Sequence, residues 1–317
     1  MAVSIVSAQN GTIVRARQCW AIGSVRTAFR VLERTSPALG ARWAERLWFT
    51  VPGSRLRNQP PPSGRRLAIR VDERRIVAET WGAGPLVYLV HGWGGRRGHL
   101  GALVGPLVAA GYRVVAFDAP SHGESEPGPA GRRRSTILEL AQALAAVCAA
   151  EGAAHAVVAH SLGCMATAVA VRDGLPARRL AFVAPMAEVT PYTHQFARGL
   201  GFGERIRLRL VRRIERRVAT PLSSFDVPAM ARTMRTPPLL LVHDREDPET
   251  RWADSAAIAR SWPGANLVTT TGLGHRRILR DPQVVADLVA FVDSDSPATR
   301  PRSPSSERLS SSAHPSA

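Results

Sequence analysis

Lysine is absent from the 317 residues, so all 42 basic positions are arginine; set against 25 Asp and Glu, they leave a formal net charge of +17. Guanidinium groups stay charged at any accessible pH, so the positive field is permanent. Such a field draws in anions and acidic surfaces. The arginines are spread along the chain without an aromatic-interleaved basic motif, so no specific nucleic-acid partner is expected. Cysteine is scarce: Cys19, Cys148 and Cys164 lie far apart and make neither a metal-ligand nor a redox pair. No cofactor or metal is expected, because no ligand cluster has metal spacing. There is also no apolar run of the roughly 18 residues that a membrane helix needs. The start of the chain lacks the order of a secretory signal, since the apolar stretch Ala2–Val6 is short and the basic residues follow it. A cytoplasmic protein is the expectation. What is plentiful is core material: 45% of residues are hydrophobic, which argues against wholesale disorder.

Residues 1–58 read as helical, with Phe29, Leu32, Trp43, Leu47 and Phe49 spaced for amphipathic faces and a break at Ser36-Pro37. The proline-rich run Asn58–Gly64 reads as a linker. This divides the chain into an N-terminal helical extension with linker (1–65), a main domain (66–293) and a tail (294–317) too polar to order itself. In the main domain, Leu67–Val71 and Arg75–Thr80 flank Asp72-Glu73-Arg74 as a hairpin. Apolar runs then alternate with helical patterns. Pro85–Val90, Tyr112–Phe117, Ala154–Ala159, Leu180–Val183, Pro238–Val242 and Asn266–Thr270 are the strands; Ser135–Glu151, Leu162–Arg172 and Trp252–Ser261 are among the helices. Strands without internal polar alternation, separated by helices, predict an α/β fold: a mostly parallel central sheet with helices on both faces. Chemistry then belongs at the carboxyl ends of the strands.

Four segments fall at such ends. Ala159-His160-Ser161-Leu162-Gly163 joins a buried strand to a helix, so Ser161 stands on a sharp turn at a helix N-terminus that favours developing negative charge. Small residues two positions either side let strand and helix approach; Gly163 is minimal and Ala159 adds one methyl. His91-Gly92-Trp93-Gly94-Gly95 ends the first long strand, with glycines that free its backbone. It has neither the lysine of the nucleotide-binding loop nor the spacing of the dinucleotide fingerprint. His243-Asp244-Arg245-Glu246-Asp247-Pro248 follows a later strand, and Gly272-Leu273-Gly274-His275 follows the last. A serine hydroxyl needs an adjacent base near neutral pH, and neutral imidazole serves as one.

Together these segments resemble the α/β-hydrolase superfamily in its serine esterase and lipase-like branch, over roughly residues 66–293. The family pattern is a nucleophile elbow, an oxyanion loop and the chain order Ser, acid, His. The resemblance implies Ser161 as nucleophile, Asp247 as the acid and His275 as the base, with the backbone N–H groups of Trp93 and Leu162 as oxyanion donors. His91, Gly92, Gly94 and Gly95 would support that loop. Asp244 and Glu246 are near enough to be mistaken for the acid, and Glu188 is an alternative because some members place the acid one strand earlier. Asp118–Ser125 also resembles a family loop and is read as support beside the site.

Met186–Arg235 is too long for an ordinary connection and reads as a helical lid, residues 187–235. Within it, Gly203–Val218 is a basic amphipathic helix suited to covering an apolar site or touching a membrane, the former being favoured. The implied function is hydrolysis of a carboxylic ester or thioester, through an acyl-serine, of a small-molecule substrate with an apolar acyl part. Cleavage of an amide or carbon–carbon bond, acyl transfer, and a non-catalytic binding protein on the same fold remain alternatives.

Overall fold

The computed structural model describes residues 12–53 and 63–294, with backbone alone for 12–22. Most of the Asn58–Gly64 linker, the side chain of Cys19 and the tail from residue 295 lie outside the described residues. Helix α1 (Thr12–Thr35) stops at Thr35, and Ser36 starts α2 (Pro37–Trp48), whose first residue is a proline, a residue tolerated there because that N–H needs no partner.

Strands β1 (Arg65–Val71) and β2 (Arg74–Trp81) form the hairpin. Its turn is the two residues Asp72 and Glu73, with φ of 46° and 63°, and Arg74 already pairs with Val71. Left-handed φ at both turn positions matches the twist of the flanking strands. The remaining strands are β3 (Leu86–Val90), β4 (Arg113–Phe117), β5 (Ala154–His160), β6 (Ala177–Val183), β7 (Leu239–Asp244) and β8 (Asn266–Thr270). They make one eight-stranded sheet in the order β1-β2-β4-β3-β5-β6-β7-β8, antiparallel from β1 to β4 and parallel thereafter.

Successive side chains of a strand point to opposite faces. In β3, Val87 and Leu89 enter one core with Val114, Val158 and Val242, while Tyr88 and Val90 enter the other with Val115, Val157 and Leu241. Both faces are therefore covered, which is why the strands read as continuous apolar runs. The coverings are α3 (Val104–Ala109), α4 (Ile137–Glu151) and α5 (Leu162–Arg172), followed after β7 by α9 (Trp252–Ser261), α10 (Gly274–Arg277) and α11 (Pro282–Asp293). Thr136 caps α4 by accepting the Glu139 N–H at 3.1 Å, and Asp281 caps α11.

Between β6 and β7 stand α6 (Thr190–Leu200), α7 (Glu204–Val218) and α8 (Val227–Thr233). The N-terminal helices join this layer. Phe29 stacks on Trp43 with centroids 4.4 Å apart and leans on Phe202 at 5.0 Å. Glu33 of α1 accepts the N–H groups of Gly203, Arg205 and Ile206 at 2.9–3.2 Å, capping α7 from another helix. Gly40 of α2 packs so closely on α7 that a Cβ there would meet Ile206 Cδ1 at 2.4 Å. Ile206, Leu210 and Ile214 are buried beneath α7, each contributing roughly 2 kcal/mol by area. After α2 the chain runs along residues 133–135, through Val51 N to Arg133 O (2.8 Å) and Ser135 N to Phe49 O (3.2 Å), which brings residues 47–52 beside the carboxyl end of the sheet.

Candidate active site

Ser161 occupies the turn between β5 and α5 with φ 55° and ψ −125°, a strained conformation for a residue with a Cβ. The surroundings over-determine it. Its N–H donates to Val183 O at 2.9 Å, its carbonyl accepts the Cys164 N–H at 3.0 Å, and β5 is locked between β3 and β6. A Cβ on Gly163 would sit 2.6 Å from the His91 carbonyl oxygen, so α5 could not pack this closely with any larger residue. Ala159 is fully buried, its methyl absorbed into the core.

The loop after β3 lies against this turn. A Cβ on Gly92 would fall 2.8 Å from Ser161 Cβ, so a side chain there would displace the serine. His91 is buried and fixes the loop from both ring nitrogens: Nε2 accepts the Ala119 N–H at 3.0 Å, which leaves Nδ1 to donate to Gly92 O at 2.8 Å. Burial pushes its pKa down, consistent with the neutral ring that this pairing requires. Gly94 rests against Pro52, and the Gly95 N–H bonds to Gly92 O at 2.9 Å. Trp93 borders the same cavity as Ser161 and Leu162 and meets His122 edge-on. The neighbouring loop is anchored by buried Asp118, which takes the Arg97 N–H at 2.7 Å and pairs with its guanidinium.

Beyond β7, Asp247 Oδ2 receives the His275 Nδ1–H at 2.7 Å and the Thr250 hydroxyl at 2.9 Å, while Oδ1 accepts the N–H groups of Glu249 and Thr250. A second histidine, His243, stands 3.5 Å from Oδ2 through Nε2, with Nδ1 on Ser255 Oγ at 2.7 Å. Burial alone would raise the Asp247 carboxyl, but the hydrogen bonds from His243 and His275 hold it well below the usual carboxylate range. It is therefore ionised and able to fix the imidazole tautomer.

The nearby acids have other places. Asp244 accepts from Leu273 N, Thr270 Oγ1 and Glu246 N, so it shapes the loop that carries His275. Glu188 lines a separate surface pocket with His194 and Arg198. Ser161 and His275 are drawn together through their neighbours: His160 Nε2 donates to the His275 carbonyl at 2.9 Å, with ring centroids 4.6 Å apart. Among the described residues no hydrogen bond joins Ser161 Oγ to the imidazole, a bond that commonly tightens only when substrate is present.

The cavity bordered by Ser161 and Leu162 has a volume of about 300 Å³. Its walls are mainly apolar: Trp48, Phe196, Leu200, Ile214, Val218 and Phe225.

A sequence profile described as the alpha/beta hydrolase family matches residues 87–288. The chain belongs to that family. The sheet order and the elbow agree with it, and solved structures share the fold. An esterase from Rhodococcus sp. ECU1013 aligns at 19% identity over 74% of this chain and 99% of its own, with a TM-score of 0.55. A thermophilic esterase from Thermogutta terrifontis aligns at 19% over 73% and 100%, with a TM-score of 0.54. The thioesterase domain from the curacin biosynthetic pathway aligns at 17% over 74% and 100%, also at 0.54. No curated protein matches the sequence.

Sequence reasoning missed several residues around the site of this alpha/beta hydrolase. His160, His243 and Thr250 reach the Asp247–His275 pair only through the fold, and nothing in their spacing announces it. The wall supplied by residues 47–52 had a visible signal in the apolar spacing of Trp43, Leu47 and Phe49, without an indication of what that face covers.

Proposed function

We propose that this alpha/beta hydrolase cleaves a carboxylic ester or thioester with an apolar acyl part, through an acyl-serine intermediate. The observation that carries the reading is the buried Asp247 side chain bonded to His275 Nδ1, together with a strained Ser161 that opens on an apolar cavity.

In this reading Ser161 Oγ attacks the acyl carbon while His275 Nε2 takes its proton, and Asp247 stabilises the imidazolium. The N–H groups of Trp93 and Leu162 receive the oxyanion that develops on the acyl oxygen. Collapse breaks the bond to the leaving alkoxide or thiolate, which receives the proton from His275. Water then repeats the sequence on the acyl-serine, releasing the acid and restoring the hydroxyl. Residues 187–235 act as a lid that, with residues 47–52, keeps the acyl chamber dry.

A fluorophosphonate probe tests this reading. It should label the full chain at Ser161 and fail to label Ser161→Ala, which should also lose hydrolysis of short p-nitrophenyl esters while melting like the parent. Labelling at another residue, or activity of Ser161→Ala within about tenfold of the parent, would remove the assignment.

A further inference from the structure

The outer side of the layer built by α1, α2 and α7 is unlike the rest of the surface. Val31, Leu39 and Leu208, one on each of these helices, are the exposed large hydrophobics among the described residues, at 54%, 55% and 47% exposure. The three helices meet at Gly40, which packs against both Leu32 of α1 and Ile206 of α7, so the layer that carries these exposed side chains is one packed unit.

Charge there is predominantly positive. Glu33 is spent on capping α7, and buried Glu45 on Arg213 at 2.5 Å. Glu204 is held by Arg207, and Glu215 accepts the Leu222 N–H at 3.1 Å. With these acids engaged, the exposed positions of the three helices carry Arg30, Arg34, Arg42, Arg209, Arg212 and Arg216. The inner side of the same layer is the cavity wall, through Leu47, Trp48, Ile214 and Val218.

We propose that this surface docks the protein on a membrane bearing anionic lipid headgroups. Guanidinium groups pair with phosphate by geometry as well as charge, and a few apolar side chains at the centre of a basic field enter the headgroup boundary. No helix of the described residues is long and apolar enough to cross a membrane, so the contact is peripheral. It brings the lipid phase to the outside of helices whose inside lines the acyl chamber. Lipid docking differs from nucleic-acid binding in needing the three apolar side chains, and that difference decides the test.

The test is co-sedimentation of full-chain Ser161→Ala protein with vesicles, so that the result does not depend on Ser161 being a nucleophile. Binding should be strong to phosphatidylcholine vesicles with about 30 mol % phosphatidylglycerol and weak to phosphatidylcholine alone. Arg209→Gln, Arg212→Gln and Arg216→Gln together should weaken it by about a hundredfold at low salt. Leu39→Ser with Leu208→Ser should weaken it by at least about tenfold and leave the salt dependence intact. All these changes are on exposed positions, and unchanged melting verifies the fold. Equal binding to both vesicle types, or insensitivity to either set of changes, overturns the proposal. So does duplex DNA that is bound more tightly than the anionic vesicles and unaffected by the leucine changes.

Discussion

His160 donates from Nε2 to the backbone carbonyl of His275 at 2.9 Å, tying the residue before the elbow serine to the loop that holds the imidazole. Burial, and then the nearby His275, push the His160 pKa well below the ordinary histidine value, so the ring stays neutral and the tether persists across the working pH range. His160→Leu removes the donor. It should lower kcat by about tenfold with little change in KM, the size of one lost buried hydrogen bond. His160→Gln, which keeps an N–H donor, should recover part of the loss. Steady-state kinetics on a short soluble ester read both, and equal kcat for the leucine variant and the parent would show that the tether does not position the base.

Asp247 and Glu188 make opposite predictions. Asp247→Asn should lower turnover by on the order of 10⁴, because an amide leaves the imidazole in the wrong tautomer. Glu188→Gln should leave turnover unchanged, since Glu188 faces a different pocket. Thr250→Val removes a donor to Asp247 Oδ2 at 2.9 Å and should cost about tenfold in kcat. A severe loss in the Glu188 variant would move the acid one strand earlier.

Most of the sheet was legible because each strand carries a local signature. Val87–Val90 and Val157–Ala159 are buried on both faces, and a segment of that kind reads the same in any tertiary context. The hairpin was legible too, but its turn was assigned one residue too long. Asp72 and Glu73 both take left-handed φ, which neither residue announces as a glycine would. The site divides along the same line. Ser161, Gly163, Asp247 and His275 sit in short motifs at strand ends, whereas His160, His243 and Thr250 act through contacts that exist only once β5, β7 and the last loop are assembled. The role of residues 47–52 was hidden for a related reason. They meet the cavity through pairing with residues 133–135, far away in the chain.

Buried histidines set the response to acid. His91, His99, His122 and His160 are all pushed down chiefly by burial, His99 and His122 to about 3. The unfolded chain would protonate each near pH 6.5. Between that value and the folded pKa the unfolded state binds more protons, so stability is full above about pH 6.5 and falls as the pH drops. For the buried His91, His122 and His160 the limit is about 1.4 kcal/mol per pH unit each. Carboxylates held low, such as Asp247 and Asp244, lose their contribution only at lower pH, below about 4. The thermal midpoint should therefore decline between pH 7 and pH 5. His122→Phe should flatten that decline, because it removes one buried titrating ring, while the loss of the Nδ1 hydrogen bond to Pro120 O at 2.9 Å lowers the midpoint at every pH alike. A midpoint independent of pH over this range would mean that these rings are hydrated in solution.

The cavity beside Ser161 offers the sharpest test of the proposed specificity. Its volume is about 300 Å³, and most of its apolar wall comes from two parts of the chain, the end of α2 with the residues after it and the segment between β6 and β7, with Trp93, Ile137 and Leu162 completing it. Each methylene buried there contributes about 0.8 kcal/mol, so kcat/KM should rise about fourfold per carbon until the chamber is full and then level off. The plateau marks the length of the chamber and should move with its walls. Trp48, which lines the cavity and packs edge-on against Phe196 at 5.2 Å, is the larger wall residue from α2. Trp48→Leu opens space and should shift the plateau to longer esters while slowing the short ones. Val218→Phe fills space from α7 and should shift it to shorter ones. Measuring kcat/KM for p-nitrophenyl esters of about two to twelve carbons on the three proteins decides the matter. Opposite shifts assign the acyl chain to this cavity. A profile that is flat, or that moves in the same direction for both variants, would place the acyl chain elsewhere and leave residues 47–52 and α7 as structural covering alone.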